Sequence, residues 1–156
     1  MANYLTPLSR AELAKAGIPE PWSFGIRDRV RFHELDALNH VNNATYLSWF
    51  ESFRLPYLKA RGVTNYDAAS PELVLKDIRV SFHTPMFLGE DYIVTGRTRA
   101  FRTNSFTMEY AVFSDGLRTE GRAIIVLLKR DGTGKQRIAS SAVENFILHD
   151  NALDER

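Results

Sequence analysis

The segment from Asn43 to Arg61 constrains the fold more than any other part of this chain. Its aromatic residues recur at steps of three and four positions, which predicts an α-helix that Gly62 ends. These residues are Tyr46, Trp49, Phe50, Phe53 and Tyr57. Three leucines widen the apolar surface almost all the way round: Leu47, Leu55 and Leu58. A helix that is apolar on most sides must be covered on most sides, so we expect a sheet to wrap around it.

The chain after this helix is predicted to form strands. Residues of alternating polarity, separated by turn residues, mark four of them: Glu72 to Phe82, Tyr92 to Ala100, Phe106 to Val112, and Arg118 to Arg130. The run from Ala123 to Leu128 is the best candidate for a central buried strand. A further strand, Phe24 to Phe32, precedes the helix. The predicted class is therefore α+β, with about five antiparallel strands around one long helix.

Short helices are predicted at both ends. Ser9 and Glu12 have the spacing of a capping box, which predicts a helix over Arg10 to Ala16 within an N-terminal appendage of residues 1–20. Ser141 and Glu144 have the same spacing, which predicts a C-terminal helix within residues 140–150. Its apolar face would carry Val143, Phe146 and Ile147. The whole chain, 1–156, is predicted to be one domain.

Composition excludes several classes of protein. Twenty Lys and Arg nearly balance nineteen Asp and Glu, which argues against nucleic acid as a partner. The absence of Cys excludes disulfides, a Cys nucleophile and thiolate metal ligands. Neither a secretory signal nor an apolar run of membrane-spanning length is visible, so we expect a cytoplasmic protein without a membrane partner. Without a Gly-x-Ser-x-Gly elbow, a serine hydrolase is disfavoured.

The loop before the helix carries the candidate chemistry. Asp36 lies a few residues before the predicted helix start, where Asn42 and Asn43 are suitable caps. A helix N-terminus presents unpaired N–H groups and partial positive charge. A carboxylate beside such donors suits hydrolysis of an activated acyl group, with a base or nucleophile on one side and an oxyanion stabiliser on the other. The simpler interpretation, a polar loop that only caps the helix, stays open.

Metal binding has weaker support in the same loop. His33, Glu34, Asp36 and His40 are possible ligands, but they lack the i, i+4 His pair on a helix that metalloproteases use. His40 is at least as well explained by hydrogen bonds to neighbouring backbone as by catalysis. We therefore expect no metal and no other cofactor.

A single apolar helix enclosed by an antiparallel sheet resembles the hotdog fold. The Asp36 to Asn43 segment, Asp-Ala-Leu-Asn-His-Val-Asn-Asn, resembles the hydroxybenzoyl-CoA thioesterase-like branch of acyl-CoA thioesterases and the corresponding segment of acyl-carrier-protein thioesterases. The resemblance implies that Asp36 is the nucleophile or general base, that the Asn43 N–H polarises the thioester carbonyl, and that His40 is a further catalytic candidate. It also implies a homodimer or homotetramer with acyl-CoA bound across a subunit interface.

The sequence departs from both relatives. The hydroxybenzoyl-CoA enzymes have Gly at the position of Asn39, and the carrier-protein enzymes have Asn at the position of Leu38 and a catalytic Glu near His83 and Thr84. Asp36 is the element that both patterns share. Candidate substrate-binding residues are Asn42, Tyr46, His83, Thr84 and Ser105. Two alternatives remain: a non-catalytic acyl-CoA-binding protein, and a hotdog hydratase or dehydratase that leaves the thioester intact.

Overall fold

The computed structural model describes residues 2–156, so Met1, the first residue of the predicted appendage, lies outside the described residues. The elements in chain order are β1 (Pro7–Leu8), α1 (Arg10–Lys15), β2 (Gly25–Arg29), a 3₁₀ turn (Phe32–Glu34), α2 (Asn43–Ala60), β3 (Glu72–Phe82), β4 (Asp91–Phe101), β5 (Ser105–Phe113), β6 (Leu117–Leu128), α3 (Ser140–Asp150) and β7 (Leu153–Asp154). The long helix and the four long strands end within two residues of their predicted bounds. Strand β2 is shorter than predicted because the chain turns into the 3₁₀ segment after it.

The strands form one sheet in the order β1-β2-β4-β5-β6-β3, with every neighbouring pair antiparallel. The two-residue strand β7 pairs in parallel with the end of β4. Strand β3 forms one edge of the sheet. Helix α2 lies against the inner face, and its aromatic residues belong to the main hydrophobic core. This arrangement confirms the predicted hotdog fold.

Two glycines let α2 approach the sheet closely. Gly96 of β4 lies under Phe53, and a Cβ atom at Gly96 would stand 2.4 Å from that ring. Gly121 of β6 lies under Phe50 in the same way, at 2.8 Å. Phe50 also stacks on Tyr110 of β5, with ring centroids 4.5 Å apart. The helix is thereby seated on the three central strands, because its largest side chains fill gaps where the sheet has no side chain.

The predicted C-terminal helix forms, but two details of the prediction are wrong. Helix α3 begins at Ser140 with Ala139 as its N-cap, and no side chain caps it, so the expected Ser141–Glu144 capping box is absent. Ile147 is 49 % exposed, and the buried positions are Ala142, Phe146 and Asp150. The helix is rotated relative to the prediction because the buried Asp150 carboxylate accepts a hydrogen bond from Arg61 at 2.8 Å and another from the Tyr57 hydroxyl.

The N-terminal appendage packs on the outer face of the sheet. Ser9 and Glu12 form the predicted capping box of α1, and β1 extends the sheet beside β2. Leu13 is fully buried in a small cluster, separate from the main core, that also contains Leu8, Ile18 and Ile93. Within residues 2–156, no helix is both long enough and apolar enough to cross a membrane.

Candidate active site

The loop that carries Asp36 is a closed turn between the 3₁₀ segment and α2. Leu35 and Val41 pair across its base, and the Asp36 N–H donates to the His40 carbonyl at 2.8 Å. Asn39 has a φ of 59°, a left-handed conformation that Asn tolerates better than most residues. These contacts fix the backbone of Asp36 and do not involve its carboxylate.

One oxygen of the Asp36 carboxylate maintains the turn. Oδ1 accepts the Leu38 N–H at 2.8 Å and the His40 N–H at 3.2 Å. Both contacts lie on the same oxygen, and Oδ2 has no hydrogen-bond partner among the described residues. The side chain is half-buried. A partly desolvated carboxylate with one fixed oxygen has the orientation that a base or nucleophile requires.

The N–H group of Asn43, the first residue of α2, is not used in capping the helix. The Asn42 side chain caps the helix by accepting the Ala44 N–H at 2.9 Å. The Asn42 N–H donates to the Glu34 carbonyl at 2.8 Å, and the Thr45 N–H donates to the Asn42 carbonyl at 2.9 Å. Among the described residues, the Asn43 N–H has no protein acceptor. A donor fixed at a helix N-terminus and not already bonded is what an oxyanion needs.

Asp36 and Asn43 line the same cavity, which has a volume of about 370 Å³. Four more of the residues predicted from the sequence contribute to its wall: His40, Tyr46, His83 and Thr84. The remaining lining residues are Leu38, Val41, Phe82 and Pro85. Phe82 is the last residue of a predicted strand, and nothing in the sequence indicated that it borders a cavity. The site therefore joins the Asp36 loop, the start of α2 and the end of β3.

The histidines of the cavity have different surroundings. His83 Nε2 lies 2.9 Å from Glu120 Oε2, and the His83 side chain is 43 % exposed at the rim. The His40 ring packs edge-to-face on Phe87 at 5.2 Å, and its backbone closes the Asp36 turn. The backbone hydrogen bonds considered for His40 are therefore present, and His40 also lines the cavity.

Tyr46 and Phe82 form an aromatic wall of the cavity. Their rings meet edge-to-face at 5.4 Å. Tyr46 is almost fully buried, and burial raises the pKa of its phenol, although the nearby Thr119 hydroxyl opposes the rise. The Tyr46 hydroxyl is therefore a neutral hydrogen-bonding group at neutral pH.

Two predicted binding residues lie elsewhere in the protomer. Asn42 is exposed and caps α2 without bordering the cavity. Ser105 is the first residue of β5 and lines a different cavity at the β4–β5 turn, together with Lys76 and Arg102. Ser105 is thus not brought together with Asp36 within one chain. Among the described residues, no three His, Asp or Glu side chains are grouped as metal ligands would be.

Comparison with known proteins agrees with the fold. The sequence profile of the thioesterase-like superfamily matches residues 30–150. The crystal structure of a thioesterase-superfamily protein from Jannaschia sp. CCS1 is 49 % identical in sequence, with a TM-score of 0.95 over 99 % of both chains. A curated putative esterase from Aquifex aeolicus is 27 % identical over 96 residues, which are 60 % of this chain and 75 % of that protein.

A second solved structure bears on ligands. A thioesterase from Thermus thermophilus, crystallised with coenzyme A and zinc, is 26 % identical, with a TM-score of 0.74 over 85 % of this chain and 98 % of its own. The superfamily profile covers the Asp36 loop, α2 and the four long strands, so the match includes every element of the cavity. The chain therefore belongs to the thioesterase-like superfamily.

Proposed function

We propose that this protein hydrolyses acyl-CoA thioesters to a free acid and CoA. The observation that carries the proposal is the pairing of two groups in one cavity: the Asp36 carboxylate, with Oδ2 available, and the unbonded N–H of Asn43. One group attacks or activates water, and the other stabilises the charge that develops. Membership of the thioesterase-like superfamily supports the same reaction.

The Asn43 N–H receives the thioester carbonyl oxygen in this mechanism. As the carbonyl carbon becomes tetrahedral, its oxygen gains negative charge beside the positive end of the α2 dipole. A donor placed at that position contributes on the order of 3 kcal/mol to the transition state. The substrate has less charge on that oxygen before attack, so the interaction favours the transition state over the ground state.

Asp36 has two possible roles. As a nucleophile, Oδ2 attacks the carbonyl carbon, the C–S bond breaks, CoA leaves as the thiolate, and water then hydrolyses the resulting mixed anhydride to release the acid and restore the carboxylate. As a general base, Asp36 removes a proton from a water that attacks the same carbon. Both routes consume one water and yield one acid and one thiol. Both also need Asp36 ionised at the start.

The acyl group would occupy the apolar part of the cavity beside Leu38, Val41 and Phe82. His83 and Thr84 stand at the rim, where they are candidates to contact the pantetheine arm. The CoA complex of the Thermus thermophilus relative supports CoA as the carrier, and an acyl carrier protein is the alternative carrier for the same pantetheine thioester.

A second copy of the chain is expected to complete the site. Strand β3 is an edge strand, and an exposed edge invites pairing. A groove of about 570 Å³ runs between β3 and α2. Its exposed apolar residues are Leu47, Leu55, Tyr66, Val74 and Leu75. This surface is continuous with the helix and strand that carry the cavity, so the edge-to-edge homodimer implied by the resemblance would place a partner beside each site.

Release of free thiol from a panel of acyl-CoAs tests the proposal. Hydrolysis of at least one member, giving equal amounts of acid and thiol, is the expected result. A hydratase or dehydratase would modify the acyl chain without releasing thiol, and mass spectrometry would detect the altered thioester. A non-catalytic binding protein would retain the acyl-CoA unchanged. Either of these last two results would overturn the proposal.

A further inference from the structure

Glu34 is a buried carboxylate just outside the cavity. It is 9 % exposed, and each of its oxygens has a fixed donor. The indole Nε1 of Trp49 donates to Oε1 at 3.0 Å, and the Arg31 N–H donates to Oε2 at 2.8 Å. A buried carboxylate is costly unless it is hydrogen-bonded, so this side chain is held tightly where it is.

The backbone of Glu34 fastens the other end of the Asp36 loop. Its carbonyl accepts the Asn42 N–H at 2.8 Å and the Thr45 hydroxyl at 3.4 Å. Both ends of the loop formed by residues 35–41 are therefore attached to Glu34. Asp36 lies two residues after Glu34, and Asn43 directly follows Asn42, whose N–H the Glu34 carbonyl accepts. Glu34 therefore connects the two segments that carry the Asp36 carboxylate and the Asn43 N–H.

Trp49 connects Glu34 to the sheet. Its ring stacks on Tyr92 of β4, with centroids 4.0 Å apart and planes 20° apart. The same indole donates to Glu34, so this hydrogen bond is one link between the core and the loop; a second is the Val41 N–H, which donates to the carbonyl of the buried Met86 at 2.9 Å. Neither Glu34 nor Trp49 lines the Asp36 cavity, and neither would touch a substrate bound there.

We propose that Glu34 and Trp49 are positioning residues, whose indole–carboxylate hydrogen bond sets the distance between the Asp36 carboxylate and the Asn43 N–H. The inference rests on the proposed function. The residues that pack around catalytic groups must hold them within a fraction of an ångström of the productive geometry. A displacement of about 1 Å lowers the rate by up to roughly 10²-fold. Loss of this bond should therefore lower kcat while leaving contacts with the substrate, and hence KM, nearly intact.

Trp49→Phe is the test variant, because it keeps an aromatic ring against Tyr92 and removes the donor. It leaves one oxygen of a buried carboxylate unpaired, which also costs stability. The matched control is Tyr57→Phe on the same helix. Tyr57 accepts the Thr98 N–H at 2.8 Å and bonds to Asp150, so its loss also removes buried hydrogen bonds, but at the end of α2 remote from Asp36.

We expect Trp49→Phe to reduce kcat by about 10-fold or more with KM changed less than about threefold, and Tyr57→Phe to lower the melting temperature without this loss. Amide resonances of residues 36–43 should shift in Trp49→Phe and not in Tyr57→Phe. Glu34→Gln should disturb the same resonances, and the double variant Glu34→Gln/Trp49→Phe should lose less activity than independent effects predict.

Equal kcat in the Trp49→Phe and Tyr57→Phe proteins, or unchanged loop resonances, would overturn the inference. If Trp49→Phe fails to fold, Glu34→Gln provides the same comparison with Tyr57→Phe. The wild-type assay distinguishes failure of the proposed function from failure of this inference. A wild type that releases no thiol overturns the proposed function and this inference with it, whereas an active wild type with an equally active Trp49→Phe variant overturns this inference alone.

Discussion

Asp36 and His40 are joined by two reciprocal hydrogen bonds: the Asp36 N–H donates to the His40 carbonyl at 2.8 Å, and the His40 N–H donates to Asp36 Oδ1 at 3.2 Å. In this turn the Asp36 side chain acts only as a hydrogen-bond acceptor. An amide oxygen has the same capacity. Asn can consequently replace Asp36 in the turn, while the negative charge that catalysis needs is lost.

Asp36→Asn should leave a folded protein that has lost most of its activity. Stability should change by less than about 1 kcal/mol, because Asn and Asp serve this kind of local hydrogen bond similarly. If Asp36 is the base or nucleophile, kcat should fall by roughly 10²-fold or more while acyl-CoA binding persists. Steady-state kinetics and calorimetric binding measure the two effects separately.

Asp131→Asn is the matched control for this variant. Asp131 Oδ1 accepts the Thr133 N–H at 2.9 Å, the same i to i+2 contact that Asp36 makes with Leu38, in a turn that does not border the Asp36 cavity. Full activity in both variants would mean that Asp36 is only a turn residue. If Asp36→Asn is inactive, a single turnover of the wild type in heavy-oxygen water tests the nucleophilic role: label entering the Asp36 carboxylate indicates a mixed anhydride. Label confined to the acid arises from either role, because water can also attack the acyl carbon of an anhydride.

The protein should be at least a homodimer in solution. Leu55, half-exposed on α2, lies in the groove beside the unpaired edge of β3, so Leu55→Glu would place a charge in an apolar interface. We expect analytical ultracentrifugation to give a dimer or tetramer for the wild type and a weakened assembly with reduced activity for Leu55→Glu. Leu148→Glu on α3, where the leucine is more exposed, is the control. A monomeric and fully active wild type would contradict this expectation.

The elements of the fold were predictable because their signals are periodic and local. The aromatic steps of α2 and the alternation of β3 depend on which face of an element is buried, and the structure places both elements at the expected residues. The location of the Asp36 loop followed from helix capping, which is also local. Six of the eight site residues named from the sequence line one cavity: four belong to this loop and the start of α2, and the other two, His83 and Thr84, came from the family resemblance.

Partners that are distant in sequence were not predictable. Glu34 and Trp49 are fifteen positions apart, and no sequence pattern predicts their hydrogen bond. Arg31 and Glu34 have the spacing of a capping box, but Arg31 lacks the Ser or Thr side chain that identifies this motif. Asp150 binds Tyr57 and Arg61 from about ninety positions away, and this pairing sets the rotation of α3 that periodicity missed. Hydrophobic periodicity predicts which face of a helix or strand is buried, but not which side chain packs or bonds against that face.

Removal of residues 1–20 should leave folding and hydrolysis largely intact. Leu8, Leu13 and Ile18 belong to a cluster on the outer face, separate from the core around α2. None of residues 2–20 lines the Asp36 cavity. Exposure of Ile93 should lower the melting temperature and increase aggregation. Circular dichroism and the thiol assay on the truncated protein test this, and loss of the fold would show that the appendage belongs to the core.

Stability should fall in alkaline solution because buried tyrosines must stay neutral. Burial raises the pKa of Tyr57, and the adjacent Asp150 adds to the rise; burial likewise raises the pKa of Tyr92 and of Tyr110. In the unfolded chain these phenols ionise near pH 10, so above that pH the unfolded state binds fewer protons than the native state. The stabilisation is thus present below about pH 10 and is lost as pH rises above it.

Urea denaturation across this range measures the effect. We expect the free energy of unfolding to decrease by up to about 1.4 kcal/mol per pH unit for each buried phenol. Tyr57→Phe, although less stable at neutral pH, should show a shallower decline because one of these groups is gone. An identical slope in the wild type and the variant would show that Tyr57 does not contribute to the alkaline loss.

Thr119→Val should raise stability. The Thr119 hydroxyl is fully buried on β6, and although it lies close enough to the Tyr46 phenol to lower the pKa of that group, the two do not meet hydrogen-bond geometry. An unsatisfied buried polar group costs about 1–3 kcal/mol. Valine has nearly the same shape without the hydroxyl, so the packing against Phe82 and Val112, which face Thr119 on the neighbouring strands, should be retained. We expect the free energy of unfolding to rise by about 1 kcal/mol in urea denaturation.

Thr119→Ser, which keeps the hydroxyl and loses a methyl group, should instead lower the free energy of unfolding. Destabilisation by Thr119→Val would show that the hydroxyl has a partner in solution, and the Tyr46 phenol, whose pKa the Thr119 hydroxyl already influences, would then be that partner.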